Sequence, residues 1–227
     1  MMSDQALLDC VEINTGNHIT HSIIWMHGLG ADANDFVPVV PELRLPKPSG
    51  IRFVFPNAPV RPVTLNNGIA MPAWFDIISL DRINGPEDEA GLRETQQAIE
   101  ALIARENERG IPTENIFLAG FSQGCAIALL TGLRHPKKLA GLICLSGFLP
   151  LAAKTEAERS QANIDIPIFM AHGTQDPVVV PERALNSKAK LEELGYRNVQ
   201  WHTYPMQHSV CLEEIRDISD FIQQNLA

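Results

Sequence analysis

The stretch of sequence that decides the fold is Asn115-Ile-Phe-Leu-Ala-Gly-Phe-Ser-Gln-Gly-Cys-Ala-Ile-Ala-Leu-Leu130. Residues 116–118 form a short apolar run typical of a strand, and residues 126–130 are typical of a buried helix. Between them lies Gly120-Phe-Ser-Gln-Gly124, a G-x-S-x-G sequence. A sharp strand-to-helix turn projects its serine into open space, and glycines on both sides relieve the crowding of the backbones. The stretch therefore predicts a strand, a tight turn at Ser122 and a helix.

Ser122 is the candidate nucleophile of this turn. A serine hydroxyl is a poor nucleophile unless a base removes its proton. The first turn of the following helix leaves backbone N–H groups unpaired near the serine, where they can bind a developing oxyanion. Because the five-letter pattern also arises by chance, a plain strand–turn–helix is the alternative interpretation. The strand before it and the apolar helix after it favour catalysis.

Length and composition exclude several classes of protein. The chain has 227 residues, 45% of them hydrophobic, and we predict one α/β domain over residues 1–227. A net charge of −9 disfavours nucleic acid or an anionic membrane as the primary partner. Residues 1–10 lack the features of a signal peptide, and the uncharged stretch 139–153 is too short to span a bilayer. We therefore expect a cytoplasmic protein that is not an integral membrane protein.

The four cysteines show no spacing typical of a metal or redox site. There is no C-x-x-C pair and no paired His–Cys cluster, so we interpret them as free thiols that are mostly buried. Neither a metal nor an organic cofactor is expected.

Apolar runs alternate with amphipathic segments along the chain. We predict strands over residues 11–14, 22–26, 51–55, 139–145, 166–171 and 198–204. We predict helices over residues 36–43, 87–109 and 181–194, and a last helix that buries Ile215, Ile218 and Ile222. This alternation gives a mostly parallel sheet with helices on both faces. Residues 61–78 lack periodicity and are expected to form a long functional loop, and residues 146–151 an exposed apolar loop.

Two polar residues that follow predicted strands complete a catalytic constellation with Ser122. Parallel sheets collect their functional loops at the carboxyl ends of the strands, and Asp176 and His208 both lie just past such ends. The chain order Ser…Asp…His is the one expected for this architecture. We expect His208 to take the proton of Ser122 and Asp176 to orient the imidazole. An Asx-type turn at Asp176-Pro177 is the alternative for that residue.

The other histidines and aspartates are poorer candidates. Among seven histidines, His208 alone lies between the last predicted strand and the last helix. His27 and His172 each precede a glycine at a strand end, where packing or loop orientation is the simpler interpretation. Asp76 lies in the long loop and Asp165 precedes its strand. His208 and Asp176 therefore remain the preferred base and orienting residue.

The glycine-rich segment His27-Gly-Leu-Gly30 follows the first buried strand. Glycines at such a place indicate a backbone that approaches another group closely. The backbone N–H of Leu29 is a candidate oxyanion donor, and the backbone N–H of Gln123 is the other. A tight strand-to-helix turn without function is the alternative.

The chain resembles the phospholipase/carboxylesterase family of small α/β-hydrolases, which includes acyl-protein thioesterases and bacterial carboxylesterases. The resemblance covers nearly the whole chain and rests on the following segments: His27-Gly-Leu-Gly30, Met71-Pro-Ala-Trp-Phe-Asp76, Glu87-Asp-Glu-Ala-Gly91, Gly120-Phe-Ser-Gln-Gly124, Leu145-Ser-Gly147, His172-Gly-Thr-Gln-Asp176 and His208. Two positions differ from the family pattern, because Cys125 and Gln207 stand where a glycine is common. We expect the helix to pack around the larger Cys125, and Gln207 to affect the His208 loop or access to it.

The resemblance implies an α/β-hydrolase fold without a large cap domain, a Ser122/Asp176/His208 triad and an oxyanion hole at Leu29 and Gln123. It also implies an acyl groove formed by two apolar loops, with the candidate side chains Leu65, Met71, Trp74, Phe148 and Leu151. The expected activity is hydrolysis of esters or thioesters of apolar acyl groups through an acyl-enzyme. The expected partners are a small ester, thioester or lipid-like substrate, an S-acylated protein, and a second copy of the chain in a homodimer. The alternatives are a non-catalytic acyl-binding protein and an acyltransferase on the same fold.

Overall fold

A seven-stranded sheet organises the computed structural model, which describes residues 7–79 and 85–226. Its strands are β1 (Cys10–Asn14), β2 (His21–Met26), β3 (Ile51–Pro56), β6 (Ile116–Phe121), β7 (Gly141–Leu145), β8 (Ile168–Gly173) and β9 (Val199–Tyr204). The spatial order is β1-β3-β2-β6-β7-β8-β9. Only β1, at the edge, runs antiparallel to its neighbour, and the other pairs are parallel. The predicted mostly parallel sheet is confirmed.

Helices cover both faces of this sheet. They are α1 (Val39–Glu42), α2 (Glu89–Glu108), α3 (Gln123–Arg134), α4 (Ala152–Glu158), α5 (Pro181–Glu193) and α6 (Leu212–Gln224). Strand β2 is buried along its whole length because its alternate side chains enter two different cores. Ile24 and Met26 pack with the side chains of α2, α3 and α5, whereas Ile23 and Trp25 pack with those of α1 and α6. The continuous apolar run in the sequence reflects this burial on both faces.

The segment predicted as a featureless loop contains a β-hairpin instead. Its strands, β4 (Val60–Val63) and β5 (Ile69–Pro72), pair antiparallel outside the main sheet. Asn67 and Gly68 turn the chain with φ values of 55° and 75°, a backbone region that these residues adopt more readily than most others. The strands escaped prediction because each has four residues and contains a proline, which weakens the strand signal.

The loop at residues 146–151 also differs from expectation. It was predicted to be exposed, but Phe148, Leu149 and Leu151 are each at least 90% buried. They pack beneath α4 and α5 in the same core as α3. An apolar run after a strand can therefore line the interior of the protein at the end of the sheet.

The described residues contain no helix that is both long enough and apolar enough to cross a membrane. Of the N-terminal stretch interpreted as lacking a signal peptide, residues 1–6 lie outside the described part. One domain over residues 1–227 stays a prediction, which the single large sheet supports.

Candidate active site

Ser122 forms the whole turn between β6 and α3. The strand ends at Phe121 and the helix begins at Gln123, so Ser122 has φ 56° and ψ −114°. Its backbone N–H donates to the carbonyl of Leu145 on the neighbouring strand, at 2.9 Å. A side chain at Gly120 would overlap the backbone of Gly124, and one at Gly124 would overlap the end of β2. The two glycines are therefore required for this strained turn, which raises the serine at the end of the sheet.

A continuous chain of hydrogen bonds joins the three residues selected from the sequence. The Nε2 atom of His208 lies 2.9 Å from the Oγ atom of Ser122. On the other side of the ring, Nδ1 of His208 lies 2.6 Å from Oδ2 of Asp176. Ser122 and His208 are partly exposed, whereas Asp176 is buried. These contacts place a base beside the hydroxyl and a carboxylate behind the base.

The two oxygens of Asp176 have different partners. Oδ1 accepts hydrogen bonds from the backbone N–H groups of Val178 and Val179, at 2.8 and 3.0 Å. Oδ2 is thereby left to face His208. The Asx-type turn that was the alternative interpretation of Asp176-Pro177 is therefore present, and it fixes the carboxylate that contacts the base.

His172 lies beneath the Asp176 loop. Its Nε2 atom is 2.7 Å from the carbonyl oxygen of Val179 and 3.4 Å from Oδ2 of Asp176. Burial lowers the pKa of His172, which favours the neutral ring. A neutral ring that donates from Nε2 ties the end of β8 to the loop, as the loop-orienting interpretation predicted.

Leu29 and Gln123 bring two backbone amides to the other side of Ser122. Leu29 follows β2, Gln123 is the first residue of α3, and both line the cavity that contains Ser122 and His208. Within residues 7–79 and 85–226, neither backbone N–H donates a hydrogen bond to another residue. Unpaired amides near a nucleophile are the kind of group that stabilises an oxyanion.

A buried network, not foreseen from the sequence, holds these two amides in place. The Gln123 side chain accepts from the backbone N–H of Trp74 at 3.0 Å and donates to the carbonyl of Phe75 at 2.8 Å. The indole N–H of Trp74 donates to the carbonyl of His27 at 2.8 Å. The His27 ring in turn accepts from the backbone N–H of Ala58 at 3.1 Å. Burial lowers the pKa of His27 and so favours the neutral ring that can accept this bond.

The cavity above Ser122 has a volume of about 410 Å³. Of the five candidates for the acyl groove, the structure brings Leu65 and Phe148 to its wall, and it adds Ile77, Val178 and Val179. It does not bring Trp74, Met71 or Leu151 there. Trp74 is wholly buried behind the His27 loop, and Leu151 is buried at the start of α4. Met71 belongs to β5 of the hairpin, and its sulfur accepts a hydrogen bond from the Asn66 side chain.

Residues 9–226 match the family described as phospholipase/carboxylesterase. The chain belongs to this family. Acyl-protein thioesterase 1 of Mycosarcoma maydis is 44% identical over 218 residues, which cover 90% of this chain and 91% of that protein. The crystal structure of Arabidopsis thaliana SOBER1 superposes with a TM-score of 0.86 at 32% identity, covering 91% of this chain and 99% of that one. The crystal structure of Zea mays acyl-protein thioesterase 2 gives a TM-score of 0.85 at 27% identity, covering 96% and 99%.

Membership of the phospholipase/carboxylesterase family confirms the expected α/β-hydrolase fold and makes the chain a hydrolase. The described residues contain no large cap over the sheet. Of the two departures from the family pattern, Cys125 is accommodated by Gly147, where a side chain would meet the Cβ and Sγ atoms of Cys125 and the carbonyl of Ser122. Gln207 is exposed, and Gly173 lies against its backbone.

Proposed function

We propose that the protein hydrolyses esters or thioesters of apolar acyl groups, with Ser122 as nucleophile, His208 as general base and Asp176 as the residue that orients His208. The observation that carries this proposal is the hydrogen-bonded chain from Ser122 Oγ through the His208 ring to Asp176. No other hydroxyl in the described residues combines a place in a G-x-S-x-G turn with such a base.

Acylation begins when Oγ of Ser122 attacks the acyl carbonyl and its proton moves to Nε2 of His208. Asp176 stabilises the resulting imidazolium through Nδ1 without taking the proton. The backbone N–H groups of Leu29 and Gln123 bind the negative charge that develops on the carbonyl oxygen. Collapse of the tetrahedral intermediate transfers the proton from His208 to the leaving alcohol or thiol and leaves the acyl group on Ser122.

Deacylation repeats these roles with water as the nucleophile. His208 removes a proton from water, the same two amides bind the oxyanion, and the carboxylic acid leaves as Ser122 regains its proton. His208 must be neutral at the start of both half-reactions, because only the neutral ring can accept a proton.

The cavity wall supports an apolar acyl group. Leu65, Ile77, Phe148, Val178 and Val179 offer hydrocarbon and aromatic surface beside Ser122. We propose S-acylated proteins as one substrate class, because relatives over nine-tenths of the chain are named acyl-protein thioesterases. Small carboxylic esters and lysophospholipids are the other candidate substrates, and release of palmitate from an S-palmitoylated peptide distinguishes the first class.

The direct test is hydrolysis of p-nitrophenyl esters from acetate to palmitate by wild type and Ser122→Ala. We expect the variant to lose at least about 10⁴-fold in kcat, while Ser160→Ala, far from the cavity wall, retains activity. Equal activity in wild type and Ser122→Ala would exclude this nucleophile. Inactivity of both would favour an acyl-binding protein, and transfer to an added alcohol in preference to water would favour an acyltransferase.

We also propose a cytoplasmic location and a homodimer. Exposed apolar side chains at the hairpin, including Val60 and Ile69, support self-association near the site. Sedimentation velocity of wild type against a Val60→Ser/Ile69→Ser double variant tests the dimer, since a single monomeric species for both proteins would contradict it.

A further inference from the structure

A second cavity adjoins the catalytic one. Its volume is about 540 Å³, and Phe148 belongs to the walls of both cavities. The residues that line it include Glu87, Leu149, Ala152, Arg183, Ser187 and Lys190. We call it the Arg183 cavity. A substrate held at Ser122 that extends past the Phe148 ring would enter this space.

Arg183 is a positively charged group in the wall of this cavity. Its guanidinium carbon lies 3.4 Å from the centre of the Phe148 ring, so the planar group stacks on the aromatic face. Within the described part of the chain its guanidinium makes no hydrogen bond and has no carboxylate within 4 Å, although the Glu87 carboxylate attracts it from a longer distance. Partial burial lowers the pKa of Arg183, because the charge loses hydration and the attraction of the Glu87 carboxylate offsets this loss only in part. Stacking leaves the N–H groups of Arg183 free to bind a ligand that lies in the plane of the guanidinium.

The neighbouring charged and hydroxyl groups are already occupied. Lys190 forms an ion pair with Glu193 at 2.8 Å. The Ser187 hydroxyl donates to the Arg183 carbonyl and accepts from the backbone N–H of Leu149. Both carboxylate oxygens of Glu87 lie 3.1 Å from the backbone N–H of Leu151. Among the described residues of this wall, Arg183 is therefore the charged group without a contacting partner, and the Glu87 carboxylate is its more distant counter-charge.

We propose that the Arg183 cavity binds an anionic group of the substrate, a phosphate or a carboxylate, and that Arg183 is the residue that recognises it. This inference rests on the proposed hydrolysis at Ser122 and narrows its substrates to amphiphiles with an oxyanion beyond the scissile carbonyl. The chain has a net charge of −9, which repels anions in general, so that a local guanidinium is needed to hold one. Guanidinium groups suit planar carboxylates and phosphates because they donate two parallel hydrogen bonds.

The anionic group can belong to the acyl part or to the leaving group, and two substrate pairs separate these sources. The first pair is p-nitrophenyl hydrogen glutarate and its methyl ester, which differ by one charge at the end of the acyl chain. The second pair is octanoyl glycerophosphate and monooctanoylglycerol, which differ by a phosphate on the leaving group. For each pair the measured quantity is the ratio of kcat/KM for the anionic substrate to kcat/KM for the neutral one.

Arg183→Gln is expected to lower this ratio by about five- to tenfold in at least one pair, since a partly exposed ion pair contributes modestly. Arg183→Lys should retain part of the preference, because it keeps the charge but loses the planar fork. Lys188→Gln is the matched control on α5, where its side chain pairs with Glu192 at 2.6 Å, and it should leave both ratios unchanged. Added salt should reduce the wild-type ratio and leave that of Arg183→Gln unaltered.

Two results would overturn the inference. If Arg183→Gln changes neither ratio, the cavity does not recognise an anion. If it lowers kcat/KM for both members of a pair in proportion, Arg183 acts only by supporting Phe148. Neither result bears on the assignment of Ser122 as the nucleophile, because hydrolysis of the neutral esters and its loss in Ser122→Ala are measured separately.

Discussion

The two sides of the catalytic cavity are built by different physical means. On the amide side, Leu29 and Gln123 are held by buried hydrogen bonds that pass through Trp74 and His27. On the apolar side, Phe148 and its neighbours present hydrocarbon surface, and Phe148 is backed by a stacked arginine. Directional bonds fix atoms that must meet a developing charge, whereas packed side chains accept ligands of varied length. Under the proposed mechanism, the amide side would carry the chemistry and the apolar side would select the substrate.

The largest expected effect comes from Asp176, which orients His208 between the two sides. Asp176→Asn keeps an oxygen for the Val178 and Val179 amides but places an uncharged amide group against Nδ1 of His208. Because the ring then adopts the wrong tautomer and loses its counter-charge, kcat should fall by about 10⁴-fold for every ester. The measurement is kcat on p-nitrophenyl acetate, with the melting temperature as a check on folding. A loss of less than about tenfold in a folded variant would remove Asp176 from the mechanism.

The amide side is tested next by Gln123→Leu. The substitution leaves the Trp74 N–H and the Phe75 carbonyl unpaired in the interior, which should lower the free energy of unfolding by about 3 kcal/mol. Displacement of the Gln123 amide from the oxyanion position should lower kcat by about 10- to 100-fold. Urea unfolding and kcat on short and long esters check both values.

Gln161→Leu provides the control for this substitution, since the side chain of Gln161 is exposed. An unfolding free energy of Gln123→Leu equal to that of the control would show that the buried network does not support the site.

The apolar side should respond differently to Phe148→Leu. Loss of the ring widens the passage between the two cavities, so the chain-length optimum should move towards longer acyl groups. We expect the ratio of kcat/KM for octanoate to that for acetate to rise by up to about tenfold, with the acetate rate little changed. If Phe148→Leu lowers kcat on the acetate ester as much as Gln123→Leu does, the amide side and the apolar side do not differ in role.

A substitution far from both sides should alter stability alone. Glu214, in the first turn of α6, is fully buried, and burial raises its pKa to about 8 from the ordinary 4.5, although the backbone N–H of Cys211 opposes part of this rise. The folded protein keeps this proton up to about pH 8, whereas the unfolded chain releases it near pH 4.5. The protonated Glu214 side chain makes its full contribution to the free energy of unfolding below pH 4.5, and this contribution is lost as the pH rises to 8.

Glu214→Gln replaces the carboxyl by a group that does not ionise, so it removes this decrease in the free energy of unfolding at high pH. The variant should match wild type near pH 5 and exceed it by about 3 kcal/mol in unfolding free energy near pH 8, with kcat unchanged at both. The neighbouring exposed Glu213→Gln serves as the control and should show no such divergence. Parallel stability curves for wild type and Glu214→Gln would mean that Glu214 ionises normally in the folded protein.

The sequence was sufficient to select the residues that the structure joins at Ser122. Their signals are local, since a glycine-flanked serine and polar residues directly after apolar strands can be recognised without knowledge of distant contacts. A parallel sheet then brings the ends of its strands together, so that Asp176 and His208 meet Ser122 across 54 and 86 positions of the chain, respectively.

The surroundings of that site could not be predicted in the same way. Trp74 and Gln123 are 49 positions apart, and the hydrogen bond from the backbone N–H of Trp74 to the Gln123 side chain leaves no periodic pattern in the sequence. Apolar residues in the hairpin region look alike in sequence, yet Trp74 is buried behind the site whereas Ile77 lines it. Which of them faces the cavity depends on how the hairpin docks, and this is a property of tertiary packing.

The glycine at position 147 governs how this region can vary among related chains. A side chain there would meet both the Cys125 thiol and the carbonyl of Ser122, so reducing residue 125 to glycine relieves only half of the conflict. A side chain at position 147 would conflict with the Ser122 carbonyl whatever residue stands at position 125. We therefore expect a survey of mutations to find substitutions of Gly147 as inactivating as those of Ser122, Asp176 and His208. Gly147 itself takes no part in any bond that is made or broken.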